Sequence, residues 1–249
     1  MRDFTALQIA DNASPRISVQ DLQIVRAGQT VLDVPELAFH GPGPTLILGP
    51  NGAGKSLLLR CLHGLIEPKS GSVRQDGEPL NAKARARQAM VFQKPVLLRR
   101  SVSANLDYVL RRQGLSRKDR AAQIDTLLAE GGLSAKARQP ARSLSGGEAQ
   151  RLAILRALAM QPEILFLDEP TSALDPAATQ VIEAMILRAS ARGARIVMVT
   201  HDIGQARRLG RDIVLMQGGK VAEHAPAARF FDAPQTRAAQ QYLSGALVI

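Results

Sequence analysis

The spacing of apolar positions divides the chain into short strands and longer helices. Loose alternation over residues 17–25 and 29–32 predicts two strands, and 37–40 a third. Gly41-Pro42-Gly43-Pro44 reads as a turn by composition. Residues 45–48 predict a short buried strand that runs into a glycine-rich loop and then a helix over 55–64. Ser70-Gly71 and Asp76-Gly77 bracket a hairpin-like strand at 72–75, and 89–93 predicts another short strand. Two helices follow at 101–112 and 117–130, the second after Ser116 and ended by Gly131-Gly132. A helix over 148–160 carries Leu152, Leu155, Leu158 and Ala159 along one stripe. The unbroken apolar run 164–167 has the pattern of a buried parallel strand. Beyond it come a helix at 177–192 closed by Gly193, a buried strand at 196–200 and a helix at 203–209. A hairpin of 213–216 and 220–223 turns at Gly218-Gly219, and 225–243 reads as one helix. Strands alternating with helices imply an α/β fold, and the helical stretch 101–130 between two core strands is a candidate inserted lobe.

Composition narrows the function classes. The chain has 249 residues, 45% hydrophobic and 22% charged, which is enough to bury a core and excludes a globally disordered chain. That length suits one large domain, or one domain with a small inserted lobe. A single cysteine, Cys61, excludes an internal disulfide framework and a multi-cysteine zinc site. His40, His63, His201 and His224 have no metal-ligand spacing. No apolar run approaches the ~18 residues of a membrane span, and the N-terminus lacks an apolar signal core. The expectation is a cytosolic protein without an anchor of its own.

The net charge of +10 is local. Residues 83–120 hold 11 basic and 2 acidic side chains, a net +9, while the rest is close to neutral. Such a segment is either a solvated surface or a face for an anionic partner, nucleic acid or membrane. Aromatics at 3%, with no Trp, count against a reader of single strands that stacks on bases.

Three motifs carry chemistry. Gly49-Pro50-Asn51-Gly52-Ala53-Gly54-Lys55-Ser56 matches the phosphate-binding pattern G-x-x-x-x-G-K-[ST], after a strand and opening a helix. Backbone amides and the helix N-terminus suit phosphate oxygens, Lys55 the β- and γ-phosphates, and Ser56 a Mg²⁺ ion. In Ile164-Leu-Phe-Leu-Asp168-Glu169-Pro170, two acids end an apolar strand, where ligands collect in open α/β sheets. Asp168 is placed to hold Mg²⁺ through water, and Glu169 to polarise an attacking water as general base. Leu144-Ser145-Gly146-Gly147-Glu148 precedes a helix, with Ser145 as N-cap and the amides of Gly146 and Gly147 open to an anion. Alone, that third motif would read as an ordinary capped helix.

Together and in this order, the motifs resemble the nucleotide-binding subunit of ABC transporters over nearly the whole chain. Gln93 is similar to the Q-loop residue, 144–148 to the signature, Ser172-Ala173-Leu174-Asp175 to the D-loop, and His201 to the switch histidine. The resemblance implies a P-loop NTPase fold. It would have a mostly parallel core sheet, an N-terminal antiparallel β subdomain and an inserted α-helical subdomain at 94–160, all within one ATPase domain at 1–249.

The resemblance also implies ATP and Mg²⁺ as cofactors and a second copy of the chain as partner, the two sandwiching ATP. Ser145, Gly146 and Gly147 of one copy would face the phosphate loop of the other, with Asp175 at the dimer interface. Glu169, His201 and Gln93 would serve hydrolysis, and Ser56, Gln93 and Asp168 the metal. An integral-membrane permease and, through it, a substrate-binding protein would complete the assembly on the inner face of the membrane. No nucleic acid is expected. The segment from Phe92 to Val102 is similar to importer subunits for tungstate- or molybdate-type oxyanions. Val96, Leu97 and Leu98 are expected to line a groove for a short coupling helix. An exporter subunit, or a soluble ABC ATPase outside transport, is the alternative.

One departure stands out. The family commonly places an aromatic ring near residues 26–28 to stack on adenine, whereas here the stretch is Val25-Arg26-Ala27-Gly28. The guanidinium of Arg26 is the replacement candidate. Ala53 stands where Ser is commoner, and a harmless change is expected because the loop works through its amides.

Overall fold

The computed structural model describes residues 16–41 and 43–245. The N-terminal stretch inspected for a signal core, and Pro42 of the expected turn, lie outside them. The described residues form two compact units, one up to 86 and from 201 onward, the other of 87–200.

The first unit opens with β1 (Ile17–Arg26), β2 (Gln29–Phe39), β3 (Thr45–Leu48), α1 (Lys55–Leu62), β4 (Ser70–Gln75), β5 (Glu78–Pro79) and α2 (Ala82–Arg85). It closes with α7 (Ile203–Leu209), β9 (Asp212–Gln217), β10 (Lys220–Pro226), α8 (Ala227–Asp232) and α9 (Arg237–Leu243). An antiparallel sheet runs β2-β1-β4-β5. β3 pairs in parallel with β9, and β9 antiparallel with β10.

The expected pair of strands at 29–32 and 37–40 is one continuous strand, β2. Pro35 does not interrupt it, because β2 lies at the end of its sheet, where a missing N–H is tolerated. Alternation slips by one residue at Pro35-Glu36, so Leu32 and Val34, then Leu37 and Phe39, are buried. β1 slips at the same level, burying Ile17 and Val19, then Leu22 and Ile24 around Asp21, whose φ is 50°. The matched slips keep both apolar sets buried. They also explain Gly71 in β4, since a Cβ there would lie 2.2 Å from the Asp21 carbonyl oxygen.

Ala27-Gly28, Asp76-Gly77 and Gly218-Gly219 each have two central residues at positive φ, as in two-residue hairpin turns. Ala27, at φ 47°, sits where its Cβ costs about 1 kcal/mol.

The single C-terminal helix expected over 225–243 is two helices. Residues 225 and 226 finish β10, and Pro234 separates α8 from α9. The Thr236 hydroxyl caps α9 by accepting the Ala239 N–H. The break is anchored by buried Glu223, whose carboxylate accepts the N–H groups of Gln235 and Thr236 and the Thr236 hydroxyl. Phe230 is fully buried against Phe231, and the Arg207 guanidinium lies 4.4 Å from the Phe231 ring centre. Cys61 is core packing, as its place in α1 suggests; burial pushes its thiol up to about 11, with Arg26 opposing.

The second unit contains β6 (Gln88–Val91), α3 (Val102–Leu110), α4 (Arg117–Glu130), α5 (Gly146–Leu158), β7 (Ile164–Asp168), α6 (Pro176–Ala191) and β8 (Arg195–Val199). β7 pairs in parallel with β6 on one side and β8 on the other, and β7 and β8 are buried along their whole length. That burial is why their sequences run apolar without alternation. α4 has the expected bounds, capped by the Ser116 hydroxyl. α3 stops at Leu110 and tightens into a 3-10 turn over Arg111–Gln113. α5 starts two residues before the expected 148, because Ser145 and Glu148 form a reciprocal capping box. Tyr108 is 45% exposed, with the Arg100 guanidinium 5.6 Å from its ring centre.

Candidate functional site

In the first unit, the loop from Gly49 to Gly54 links β3 to α1. Gly49 has φ 142°, and a Cβ on it would lie 2.1 Å from the Met216 carbonyl oxygen, so only glycine fits. Gly52 and Gly54 have φ 81° and 93°, and Gly54 is the residue that starts α1. The Lys55 ammonium is buried and donates to the carbonyls of Gly49 at 2.8 Å and Pro50 at 2.9 Å. Ser56 follows it in the first turn of α1.

The tip of the β9–β10 hairpin braces this loop. The Gly219 N–H donates to the Ala53 carbonyl at 3.1 Å, and the Asp33 N–H donates to the Gly219 carbonyl at 2.8 Å. A Cβ on Gly219 would meet the Val31 carbonyl oxygen at 2.5 Å. Ala53 is buried, so its side chain is packed as well as its amide engaged. The sequence shows the hairpin but not that its glycines press on the phosphate loop. His201 is exposed, two residues beyond β8, and Asp202 beside it caps α7 by accepting the Gln205 N–H. Arg26 is exposed at the end of β1.

In the second unit, β7 delivers the two acids. Asp168 is its last residue and is buried. Glu169 turns the chain at φ 46°, a left-handed conformation that costs a non-glycine residue about 1–3 kcal/mol. Its N–H is held by the Val199 carbonyl, and its own carbonyl accepts the Ser172 N–H. The Gln93 side-chain amide donates to a Glu169 carboxylate oxygen at 3.4 Å and to the Ser172 hydroxyl at 3.2 Å. Gln93, Glu169 and Ser172 therefore come together, a grouping in which the sequence does not single out the Ser172 hydroxyl.

Ser145 and Gly146 are exposed at the start of α5. The Ser145 hydroxyl accepts the Glu148 N–H, and Glu148 accepts the Ser145 N–H at 3.0 Å. The Lys136 ammonium and the Ser145 N–H hold the Glu148 carboxyl below its ordinary value. A Cβ on Gly147 would approach Ala178 to 3.0 Å. Gln150, which the motif reading leaves without a role, is buried and donates to the Phe92 carbonyl at 3.2 Å, tying the signature helix to the residue before Gln93. Asp175 caps α6 by accepting the Ala178 N–H at 2.8 Å.

The segment after Gln93 is also pinned. Asn105, fully buried, accepts the Leu98 N–H and donates to the carbonyls of Leu98 and Ser101. Arg156 donates to the Val96 carbonyl. The Val96 side chain is left 75% exposed, with Leu97 and Leu98 half-buried.

The donor set fits a nucleotide with Mg²⁺. Gly49 without room for a Cβ, Gly52 and Gly54 at positive φ, and a lysine folded over the loop make a phosphate cradle. Among the described residues no cluster of three or more His, Cys, Asp or Glu could hold a metal by itself. Hydroxyl, carboxylate and amide oxygens are the ligand types that Mg²⁺ takes beside phosphate and water.

The ABC transporter family model matches residues 39–172, more than half of the chain. The chain belongs to the ABC transporter family. It is an ABC ATPase with the P-loop α/β fold, and it matches the phosphate import ATP-binding protein PstB 2 of Natronomonas pharaonis at 40% identity over 89% of this chain and 84% of the relative. The tungstate uptake system ATP-binding protein TupC of Peptoclostridium acidaminophilum is 39% identical over 84% of this chain and 97% of its own length. Among solved structures, CbiO1 of Clostridium perfringens, part of the CbiONQ transporter complex, superposes with TM-score 0.80 at 27% identity, covering 88% of this chain and 92% of its own. A dimeric ATP-binding cassette, MJ0796 with ADP and phosphate, superposes with TM-score 0.76 at 27% identity, over 85% of this chain and 98% of that one. No helix among the described residues of this ABC ATPase is long and apolar enough to cross a membrane.

Proposed function

We propose that the chain is the ATP-hydrolysing subunit of an importer, its ATP-driven pairing with a second copy powering uptake of a small solute, an oxyanion by preference. The observation that carries the catalytic reading is the Gln93–Glu169–Ser172 group at the end of β7, together with the glycine loop that leads into Lys55 and Ser56. The importer reading is supported by relatives named for phosphate, tungstate and methionine import.

The roles follow from chemistry. The loop Gly49-Pro50-Asn51-Gly52-Ala53-Gly54 wraps the phosphates with its backbone, and Lys55 offsets their charge. Ser56, Gln93 and Asp168 would hold Mg²⁺, which would supply positive charge against the phosphates. Glu169 accepts a proton from the attacking water, and Gln93 orients that carboxylate. His201 contacts the γ-phosphate. Ser145, Gly146 and Gly147 present a helix N-terminus to the nucleotide of the second copy, and Asp175 lies at the copy–copy interface. Residues 94–160 form the helical subdomain of a single ATPase domain, and Val96, Leu97 and Leu98 dock a permease helix. A substrate-binding protein delivers the solute, and the complex works at the inner face of the membrane.

Affinity purification from native membranes tests the assembly. A permease and a binding protein travelling with this chain are expected. Recovery with an exporter-type membrane subunit and no binding protein would overturn the importer reading.

A further inference from the structure

Arg99, Arg100, Ser101, Arg138, Pro140 and Arg142 line a cavity of about 360 Å³ in the second unit. Two stretches far apart in sequence meet there. Ser101 bridges to Pro140, the Ala141 N–H donates to the Arg100 carbonyl at 2.9 Å, and the Val102 N–H donates to the Gln139 carbonyl at 2.9 Å. Those backbone bonds fix both stretches, so four arginines line one small concavity. Arg138 and Arg142 lie outside the basic segment 83–120 and join it only in the fold.

The two stretches that carry these charges supply no acid of their own. Residues 94–106 and 131–147 contain no Asp or Glu. In α3, Asp107 is committed to Arg111 at 2.7 Å and Arg120 at 2.9 Å. In the first turn of α5, Glu148 is committed to Lys136. The Arg100 guanidinium lies over the Tyr108 ring. The first amides of α3 are also engaged, by the carbonyls of Gln139 and Ala137 and the Ser101 hydroxyl, so the arginines are the donors on offer. Four like charges around one concavity repel one another, and a multivalent anion relieves that repulsion. The planar fork of arginine matches the oxygen spacing of a phosphate group. The cavity is large enough for a tetrahedral anion or a headgroup and too small for a helix or a duplex.

We propose that this four-arginine cavity is a binding site for a phosphate group, separate from the nucleotide motifs. The group belongs either to a free ion or to a phospholipid headgroup. The test uses the full chain saturated with ADP and Mg²⁺, so that the glycine loop is filled. Inorganic phosphate is titrated calorimetrically into it and into Arg138→Ala/Arg142→Ala. In parallel, both proteins are sedimented with phosphatidylcholine vesicles with and without phosphatidylglycerol. All four positions are exposed, and unchanged basal ATP hydrolysis shows that the variant is folded. Phosphate affinity weakened about tenfold or more in the variant supports the free-ion source. Loss of phosphatidylglycerol-dependent sedimentation alone supports the headgroup. Identical behaviour of the two proteins toward both probes overturns the proposal, as does a response confined to duplex DNA.

Discussion

The Gln93 side-chain amide lies 3.4 Å from a carboxylate oxygen of Glu169 and donates to the Ser172 hydroxyl at 3.2 Å, joining the end of β6 to the turn after β7. Glu169 is already constrained by its left-handed backbone. The amide fixes the remaining freedom, that of the side chain. Gln93→Ala should therefore lower kcat about tenfold with a smaller change in KM for ATP, the signature of a group felt mainly in the transition state. Steady-state kinetics decides it, and a change confined to KM would contradict the positioning role.

Glu223 gives a pH signature. Burial pushes its carboxyl up, but the Gln235 and Thr236 N–H groups, the Thr236 hydroxyl and Arg229 outweigh that and hold it below its ordinary value. A carboxyl lowered in the folded state adds stability that is complete above about pH 4.3 and disappears as pH falls through the folded value. The urea midpoint of the protein should exceed that of Glu223→Gln by a constant amount near neutrality. The gap should narrow as pH falls out of the ordinary carboxylate range through the lowered folded value. A gap unchanged at acid pH would show that geometry, not charge, anchors the start of α9.

Much of the fold is legible in the sequence, and its failures share a cause. β7 and β8 read as buried runs because 164–167 and 196–199 are apolar throughout, and α4 reads from its Ser116 cap. The phosphate loop and its lysine are legible because the backbone shape demands glycine at fixed positions. The continuity of β2 through Pro35 depends on that strand lying at a sheet end, which is a property of pairing and not of local pattern. The split at Pro234 reflects an anchor, Glu223, from another element. The Gly219 brace on Ala53, the Gln150 bond to Phe92 and the gathering of Arg138 and Arg142 with Arg99 and Arg100 are contacts between distant segments.

Leu97→Asp tests the docking surface. The backbone of this segment is pinned by Asn105 and Arg156, so a charge there alters a fixed apolar surface rather than a loop that could turn away. Basal ATP hydrolysis should be unchanged and its stimulation by the membrane partner lost. Retained stimulation in the reconstituted transporter would contradict the docking role.

Base selectivity should be modest. The hairpin that would carry an adenine-stacking ring has Arg26 and Ala27 instead, and a guanidinium stacks on either purine. GTP should compete with ATP within about tenfold in a hydrolysis assay, since loss of one specific stacking contact removes about 1–3 kcal/mol of discrimination. Strong ATP preference would show that another group reads the base.

The catalytic assignment rests most directly on Glu169. Glu169→Gln keeps the size of the side chain and the hydrogen-bond acceptor for Gln93 while removing the general base. Turnover and sedimentation velocity should be measured together on this variant with ATP and Mg²⁺. Abolished hydrolysis with a stable ATP-dependent dimer is the predicted result; retained hydrolysis would contradict it.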